Sequence, residues 1–420
     1  MEIITGGVTA AKGFMAAGVE AGIKYQNRKD MAMVYSKTPC RAAGVFTTNV
    51  VKAAPVLWDK EVVESEWEAQ AIVVNSGIAN ACTGKLGYEY CRETAGAAAD
   101  ALEISPQSVL ICSTGVIGMQ IPFDKLEAGI GMQLPMEKMT EGVRMLAKAI
   151  KPGEEAGTDA AKAIMTTDTR NKQVAVKVTI GGKEVTIGGM CKGSGMIHPN
   201  MCTMLAFVTT DVNISKKLLQ EALSADVQDT FNMVSVDGDT STNDTLLVLA
   251  NGQAGNPEIT EKGADYDTFV EALHYVNETL AKKIAGDGEG ATALFEVKVI
   301  HADNKEDAKT LAKSVITSSL TKAALFGHDA NWGRILCALG YSGAKFDPEA
   351  IELYLESSAG KILIFKDGMA ADYSEEEATR ILSCSEVTAL VDMKMGEAEA
   401  TAWGCDLTYD YVKINADYRS

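Results

Sequence analysis

Lys192-Gly-Ser-Gly-Met-Ile-His-Pro-Asn-Met-Cys-Thr203-Met-Leu-Ala-Phe-Val-Thr-Thr-Asp211 lies near the middle of the 420-residue chain, and its reading organises the rest. The first half is a glycine-rich turn that carries a cation, Lys192. Pro199 and Asn200 force a second turn, because proline fixes its own φ and restricts the residue before it. From Thr203 the character changes to a strand through Met204, Leu205, Ala206, Phe207 and Val208. A small hydroxyl residue thus stands where a tight turn feeds a buried strand. At such a junction a backbone can be strained and a side-chain oxygen held rigidly beside a peptide carbonyl. Just upstream, Val174, Val176, Val178, Ile180, Val185 and Ile187 alternate about Gly181-Gly182, which predicts a β-hairpin leading into the turn.

Further out, the run Ala71–Asn75 and the run Ser108–Cys112 flank an Ala-rich helical segment over 87–102. Two apolar runs separated by a helix predict a crossover unit with both glycine turns, Ser76-Gly77 and Ser113-Thr-Gly115, at the same end. Neither turn carries Gly-x-Gly-x-x-Gly, so a dinucleotide-binding unit is disfavoured. The N-terminal 60 residues read as short strands: Ile3–Gly7, Gly18–Lys24, Met31–Tyr35 and Gly44–Asn49. Helices are predicted over about 123–150, from Ser215 as N-cap through Val227, from Phe269 to Ile284, and from Asp307 to Leu320. Strands are predicted at Leu246–Ala250, after the polar segment 235–245, and at Thr292–His301. Nearer the C-terminus they are predicted at Lys361–Phe365, as a pair about Gly396 through Val387, Ala389, Val391 and Met393, and through Leu407, Tyr409 and Tyr411. The class is α+β, with the composition shift near 290–300 as the candidate domain boundary.

Hydrophobic residues make up 46% of the chain, enough for a large core, and the net charge is −18. An acidic balance without a basic stripe argues against a nucleic-acid binder. Nine cysteines are scattered without Cys-x-x-Cys, and His198, His274, His301 and His328 show no ligand spacing, so no metal or resident cofactor is expected. No basic-then-apolar leader opens the sequence, and no apolar run reaches the ~18 residues of a membrane span. A reducing cytoplasm is the expected compartment.

Three glycine-punctuated turns, 113–118, 192–203 and 286–290, gather hydroxyls, single charges and backbone N–H groups. Brought together they would make an acyl-transfer site. Thr203 Oγ would attack a carbonyl, Thr114 and Gly115 would stabilise the oxyanion, and Lys192 and Glu289 would fix a substrate bearing both charge signs. A threonine hydroxyl stays protonated at neutral pH and needs a base within reach. One source is its own α-amine, freed by an N→O acyl shift at the Cys202–Thr203 peptide and hydrolysis of the ester. Such an amine titrates at about 7.7–8.0 and suits general-base work. Each feature also has an ordinary reading. Thr203 could be a strand former, Lys192-Gly-Ser-Gly a solvated turn or phosphate nest, and Cys112 and Cys202 buried structural thiols. By the same standard Glu289 would be a loop charge and His328 a packed turn residue.

The central stretch resembles the signature of the ArgJ family of ornithine acetyltransferases and glutamate N-acetyltransferases. Matching blocks run the length of the chain: Gly6-Gly-Val-Thr-Ala, Ala43-Gly-Val-Phe-Thr-Thr-Asn49, Ala79-Asn-Ala-Cys-Thr-Gly84, Ser113-Thr-Gly115, Met165-Thr-Thr-Asp168, Asp237-Gly-Asp-Thr-Ser-Thr-Asn-Asp244, Gly286-Asp-Gly-Glu-Gly290, Gly327-His-Asp-Ala-Asn-Trp-Gly-Arg334 and Ile414-Asn-Ala-Asp-Tyr-Arg-Ser420. The resemblance implies an αββα sandwich shared with the DmpA-type aminopeptidases and formed by both products of self-cleavage. The α piece would be 1–202, and 203–290 would complete the core. A smaller C-terminal α+β domain would span 291–420, and the pieces would pair into an α2β2 heterotetramer.

The same resemblance implies acetyl transfer from N-acetylornithine to glutamate in arginine biosynthesis, with acetyl-CoA as a further candidate donor. Thr203 would be nucleophile and acetyl carrier, and Thr114 and Gly115 the oxyanion hole. Thr166, Lys192, Thr203, Glu289, Asn415 and Ser420 would be the substrate-binding positions. Cys202 stands where alanine is usual, Ser420 where threonine is usual, and Ile78 where a polar residue is usual. The rival expectations are an amidase or aminopeptidase of the same fold, which would pass the acyl group to water, and an uncleaved small-molecule-binding scaffold.

Overall fold

The computed structural model describes residues 1–118, 136–198 and 204–417. The chain opens with strands β1 (Glu2–Ile4), β2 (Phe14–Val19) and β3 (Met31–Phe46), then α1 (Ala54–Glu64), β4 (Ala69–Ile78), α2 (Gly84–Leu102) and β5 (Val109–Val116). Next come α3 (Met136–Ala149), α4 (Glu154–Ala163), the hairpin β6 (Lys172–Ile180) and β7 (Lys183–Lys192), β8 (Leu205–Thr210), α5 (Lys216–Asp226), β9 (Thr245–Ala250) and α6 (Ala264–Ala285). The remainder is β10 (Leu294–Ala302), α7 (Lys305–Thr317), α8 (Ser319–Phe326), α9 (Trp332–Gly340), β11 (Glu352–Ser357), β12 (Gly360–Lys366), β13 (Met369–Ala370), α10 (Glu375–Leu382), β14 (Glu386–Asp392), β15 (Ala398–Cys405) and α11 (Tyr409–Asp417).

Strand β3 joins two sheets. Its first part, Met31–Tyr35, pairs with β2 and β4, and its last part, Arg41–Phe46, pairs with β9. The register shifts between Tyr35 and Cys40, where Pro39 has no N–H to give a ladder. One sheet therefore runs β2-β3-β4-β5 and the other β1-β6-β7-β8-β9-β3. Alternation along the strands sorts the side chains between layers. Ala32, Val34, Ile72, Val74, Leu110 and Cys112 meet Met190, Leu205, Phe207, Leu247 and Leu249 in a single core between the sheets. The alternate residues Met31, Met33, Ala71, Val73, Val109 and Ile111 pack outward against α2 and α3. On the other sheet Ala206, Val208, Leu246 and Val248 pack against α5 and α6. The layers are α, β, β, α, as expected. Strands covered on both faces read as unbroken apolar runs, which is why Ala71–Asn75 and Ser108–Cys112 stood out.

A third, separate sheet, ordered β13-β12-β11-β14-β10-β15, follows toward the C-terminus with α7 and α10 against it. The Ser215 cap is present, its side chain accepting from Leu218 N–H at 3.4 Å. Several expectations need correction, among them the strand expected at Gly18–Lys24, which shares only Gly18 and Val19 with β2. The strands placed at Met31–Tyr35 and Gly44–Asn49 are parts of one strand, β3, and α1 and α4 were not foreseen. The helix from Asp307 is two helices, broken at Ser318, whose hydroxyl caps α8 by accepting from Thr321 N–H at 3.2 Å. The segments flanking Gly396 are not paired with each other, because β10 lies between β14 and β15. Leu407–Tyr411 is not a strand. Thr408 Oγ1 accepts from Tyr411 N–H at 3.3 Å and starts α11 instead. The helix expected over 123–150 falls partly outside the described residues; α3 is its observed part. His328 is exposed rather than packed, at φ 53° with Ser383 Oγ 3.3 Å from Nδ1. Among the described residues no helix is long and apolar enough to cross a membrane.

Phe207, fully buried between the two sheets, tests the sandwich. Phe207→Ala should cost about 3–5 kcal/mol through lost burial and a residual cavity, read as a lower unfolding midpoint with the fold retained.

Candidate active site

The sandwich brings several chain segments to one cavity of about 130 Å³. The end of β5 brings Thr114 and Gly115, the end of β7 brings Lys192, and the start of β8 brings Met204 and Leu205. The segment after α4 contributes Thr166 and Thr167, the turn after α6 contributes Glu289, and α11 contributes Asn415. All six described residues singled out from the sequence, Thr114, Gly115, Thr166, Lys192, Glu289 and Asn415, line it. Cys202, Thr203 and Ser420 lie outside the described residues. The residue that follows Thr203 in the chain, Met204, is in the cavity wall.

Strand β5 runs parallel to β4, and the register shifts where Gly77 and Ile78 meet Thr114, Gly115 and Val116. Gly115 has φ +132°, and a Cβ there would lie 2.2 Å from the Gly77 carbonyl carbon, so no other residue fits. Thr114 is 9% exposed and accepts a hydrogen bond from Lys192 Nζ at 3.2 Å. With its oxygen engaged by an ammonium, the Thr114 hydroxyl hydrogen is left to donate elsewhere. A hydroxyl and a glycine amide at one strand end form a donor pair suited to an oxyanion.

Lys192 is held by a buried charge network. Lys172 Nζ donates to Asp168 Oδ1 and to Asp287 Oδ2, each at 2.6 Å. Asp168 also accepts from Gly193 N–H at 2.7 Å and from Thr166 N–H at 3.1 Å. Asp287 accepts from the N–H groups of Thr169 and Arg170 and from the Thr169 hydroxyl, and its carbonyl accepts from Ser194 Oγ at 2.7 Å. Burial would raise the Asp168 carboxyl, but Lys192, Lys172 and the Gly193 amide outweigh it and hold it at about 2. Burial dominates at Lys192 and lowers its pKa, against the opposing pull of Asp168, Glu289 and Asp244.

Opposite Lys192 stands Glu289, 8% exposed, whose Oε2 accepts from Asn415 Nδ2 at 2.8 Å. Gly195 makes room for it: a Cβ there would lie 2.3 Å from the Glu289 carboxyl carbon. At Gly290, φ +70°, a Cβ would lie 2.7 Å from Tyr411 N, so α11 seats directly on this turn and carries Asn415 to the cavity. Neither Lys192 nor Glu289 forms an ion pair among the described residues. One cavity therefore offers a cation and an anion, both buried, to a ligand carrying the complementary charges.

Several participants were not singled out beforehand. Asn243 Nδ2 donates to the carbonyls of Ser113, at 2.8 Å, and Ala79, at 2.5 Å, tying the 235–245 segment to the ends of β4 and β5. Ser241, Asn243 and Asp244 line the cavity, and Asp168 and Lys172 anchor it. The density of small polar residues in 235–245 was the available signal. Nothing local marked Lys172, which reads as one more polar position in an alternating strand.

The ArgJ family's sequence profile matches residues 15–420. The arginine biosynthesis bifunctional protein ArgJ of Symbiobacterium thermophilum is 53% identical over 422 residues, covering 100% of both chains. That of Caldanaerobacter subterraneus subsp. tengcongensis is 50% identical over 420 residues, again covering 100% of both. A solved structure of the Mycobacterium tuberculosis ornithine acetyltransferase complexed with ornithine is 41% identical, with a TM-score of 0.40, over 48% of this chain and 98% of that one.

Lys172→Met leaves Asp168 and Asp287 buried without their shared cation. It should destabilise the fold by about 3–5 kcal/mol, measured by urea unfolding. Because folding depresses the Asp168 carboxyl, its contribution is fully present above its ordinary value of 3.8 and is lost as the pH falls toward about 2.

Proposed function

The chain belongs to the ArgJ family, and we propose that it works through Thr203 as the acetyl carrier, freed by self-cleavage at Cys202–Thr203. It is an acetyltransferase of arginine biosynthesis that moves acetyl from N-acetylornithine to glutamate. The observation that carries the detailed reading is the pair of buried, opposite, unpaired charges, Lys192 and Glu289, beside the Thr114–Gly115 donor pair. N-acetylornithine has an α-carboxylate for Lys192 and a side-chain ammonium for Glu289, with an amide carbonyl between them.

Maturation begins when Thr203 Oγ attacks the Cys202 carbonyl. The Cys202–Thr203 C–N bond breaks, the hydroxyl proton passes to the departing nitrogen, and an ester remains. Water hydrolyses that ester to a Cys202 carboxylate and a free Thr203 hydroxyl. The pieces stay together because β7 and β8, on either side of the cut, are neighbours in one sheet, with Lys192 opposite Leu205. We place the product in the cytoplasm as an α2β2 assembly.

In turnover the Thr203 α-amine takes the Oγ proton as Oγ adds to the acetyl carbonyl. The oxyanion rests on the Thr114 hydroxyl and the Gly115 N–H. Loss of one such donor typically costs about 10²–10³ in rate. The amide C–N bond breaks, the same proton passes to the leaving amine, and ornithine departs. The α-amine of glutamate then attacks the acetyl ester, and Thr203 Oγ leaves and regains a proton. Acetyl-CoA serves as a second donor to the same oxygen, its C–S bond breaking and its thiol taking the proton. Lys192, a compact point charge on a flexible stem, binds the carboxylate of either amino acid.

The purified protein should run as two fragments of similar size on a denaturing gel. Thr203→Ala should give one uncleaved, inactive band, and a single full-length band from the parent would contradict self-cleavage. Thr114→Ala should slow cleavage and turnover together. Because burial lowers the Lys192 pKa, its ammonium is lost below the 10.5 of an ordinary lysine. KM for N-acetylornithine should therefore climb on the alkaline side earlier than a free lysine would allow, whereas an active Lys192→Arg enzyme should not show that limb.

A further inference from the structure

The catalytic cavity, at about 130 Å³, is small for a nucleotide. An acetyl-CoA donor must keep its phosphorylated nucleotide elsewhere. A second cavity of about 670 Å³ lies against the same wall, within the roughly 300–1,000 Å³ of small-molecule sites. Thr166 and Thr167 line the catalytic side, and Met165, Asp168 and Thr169 line the other. Arg28, in the second cavity, fastens that wall by donating from Nη1 to the Thr166 carbonyl at 3.1 Å and from Nη2 to the Met165 carbonyl.

The charge of this cavity runs against that of the molecule. On a chain of net charge −18 it is lined by Arg28, Lys29, Lys162 and Arg170. The acid in its lining, Asp168, is buried and already engaged by Lys172. Lys29 pairs with Asp159 at 2.6 Å, and the carbonyls held by Arg28 leave its charge in place. Lys162 and Arg170 are exposed and form no ion pair among the described residues. Asn171 also lines the cavity, and its Oδ1 is taken by Gln173 Nε2 at 3.0 Å, which leaves its N–H groups to donate. Clustered guanidinium and ammonium groups are the ordinary partners of phosphate, and a local basic basin offsets the repulsion an acidic protein exerts on a polyanion.

We infer that this basic cavity binds the phosphates of the nucleotide half of a coenzyme A thioester. The pantetheine arm crosses the Thr166–Thr167 rim to bring the acetyl group to the catalytic cavity. The inference rests on the reading of acetyl-CoA as a donor. Its test is the full-length enzyme carrying Lys162→Glu and Arg170→Glu, both exposed side chains outside the catalytic cavity, Arg170 touching the anchor network through its backbone alone. Coenzyme A is titrated calorimetrically into parent and variant, with inorganic phosphate as competitor, and initial rates are taken with each donor.

The variant should lose coenzyme A affinity on the order of tenfold or more, and KM for acetyl-CoA should rise in step. KM and kcat for N-acetylornithine should stay at parental values, which also shows that the variant is folded. Equal coenzyme A affinity in parent and variant, or no binding to the parent, would overturn the inference. So would inorganic phosphate displacing coenzyme A at comparable concentration, the mark of a plain anion site. A parent that binds coenzyme A and loses it in the variant, yet transfers nothing from N-acetylornithine, would refute the reaction reading while supporting this nucleotide site.

Discussion

One buried ammonium, Lys172, shared between Asp168 and Asp287 at 2.6 Å each, fixes the relative positions of three chain segments. Asp168 reaches the backbone of Thr166 and Gly193, and Asp287 reaches the segment 169–170 and, through its carbonyl, Ser194. The cavity-lining residues are next to these anchors: Thr166 before Asp168, Lys192 before Gly193, Glu289 two after Asp287. Charges removed from water are costly unless they are paired and hydrogen-bonded, and here nearly every lone pair has a partner. The arrangement trades stability that an apolar core could supply as well for a fixed geometry at the cavity wall.

That geometry suits the chemistry proposed for it. Lys192 is buried and its pKa is lowered, yet Asp168, Glu289 and Asp244 counter the cost of burial. Its Nζ contact with Thr114 joins the cation proposed to bind the carboxylate to the hydroxyl proposed as oxyanion donor, so one group would both position the substrate and orient that hydroxyl. In a small, largely buried cavity such donors act in a low dielectric and need little reorganisation during reaction.

The sandwich was legible wherever strands are covered on both faces, as at Ala71–Asn75 and Ser108–Cys112, and wherever a turn has unmistakable chemistry, as at Gly181-Gly182. Six residues of the cavity, Thr114, Gly115, Thr166, Lys192, Glu289 and Asn415, were legible because each sits on a glycine-marked turn or in a motif block. Other features were not. The bend in β3 depends on pairing with two sheets at once, a tertiary fact absent from its local pattern. The spacing of Leu407, Tyr409 and Tyr411 suits a short strand until Thr408 caps a helix. Lys172 sits in an alternating strand like any polar residue, and its role depends on Asp287, 115 residues away. Charge partners brought together by topology leave no periodicity to read.

We propose that the C-terminal fragment carries the acetyl group on its own first residue, Thr203. Mass spectrometry of enzyme quenched after mixing with N-acetylornithine, without glutamate, tests it most directly. The prediction is one added acetyl group on the C-terminal fragment, localised to its N-terminal threonine and discharged when glutamate is supplied. An unmodified fragment during active turnover, or an acetyl group on any other residue, would contradict it.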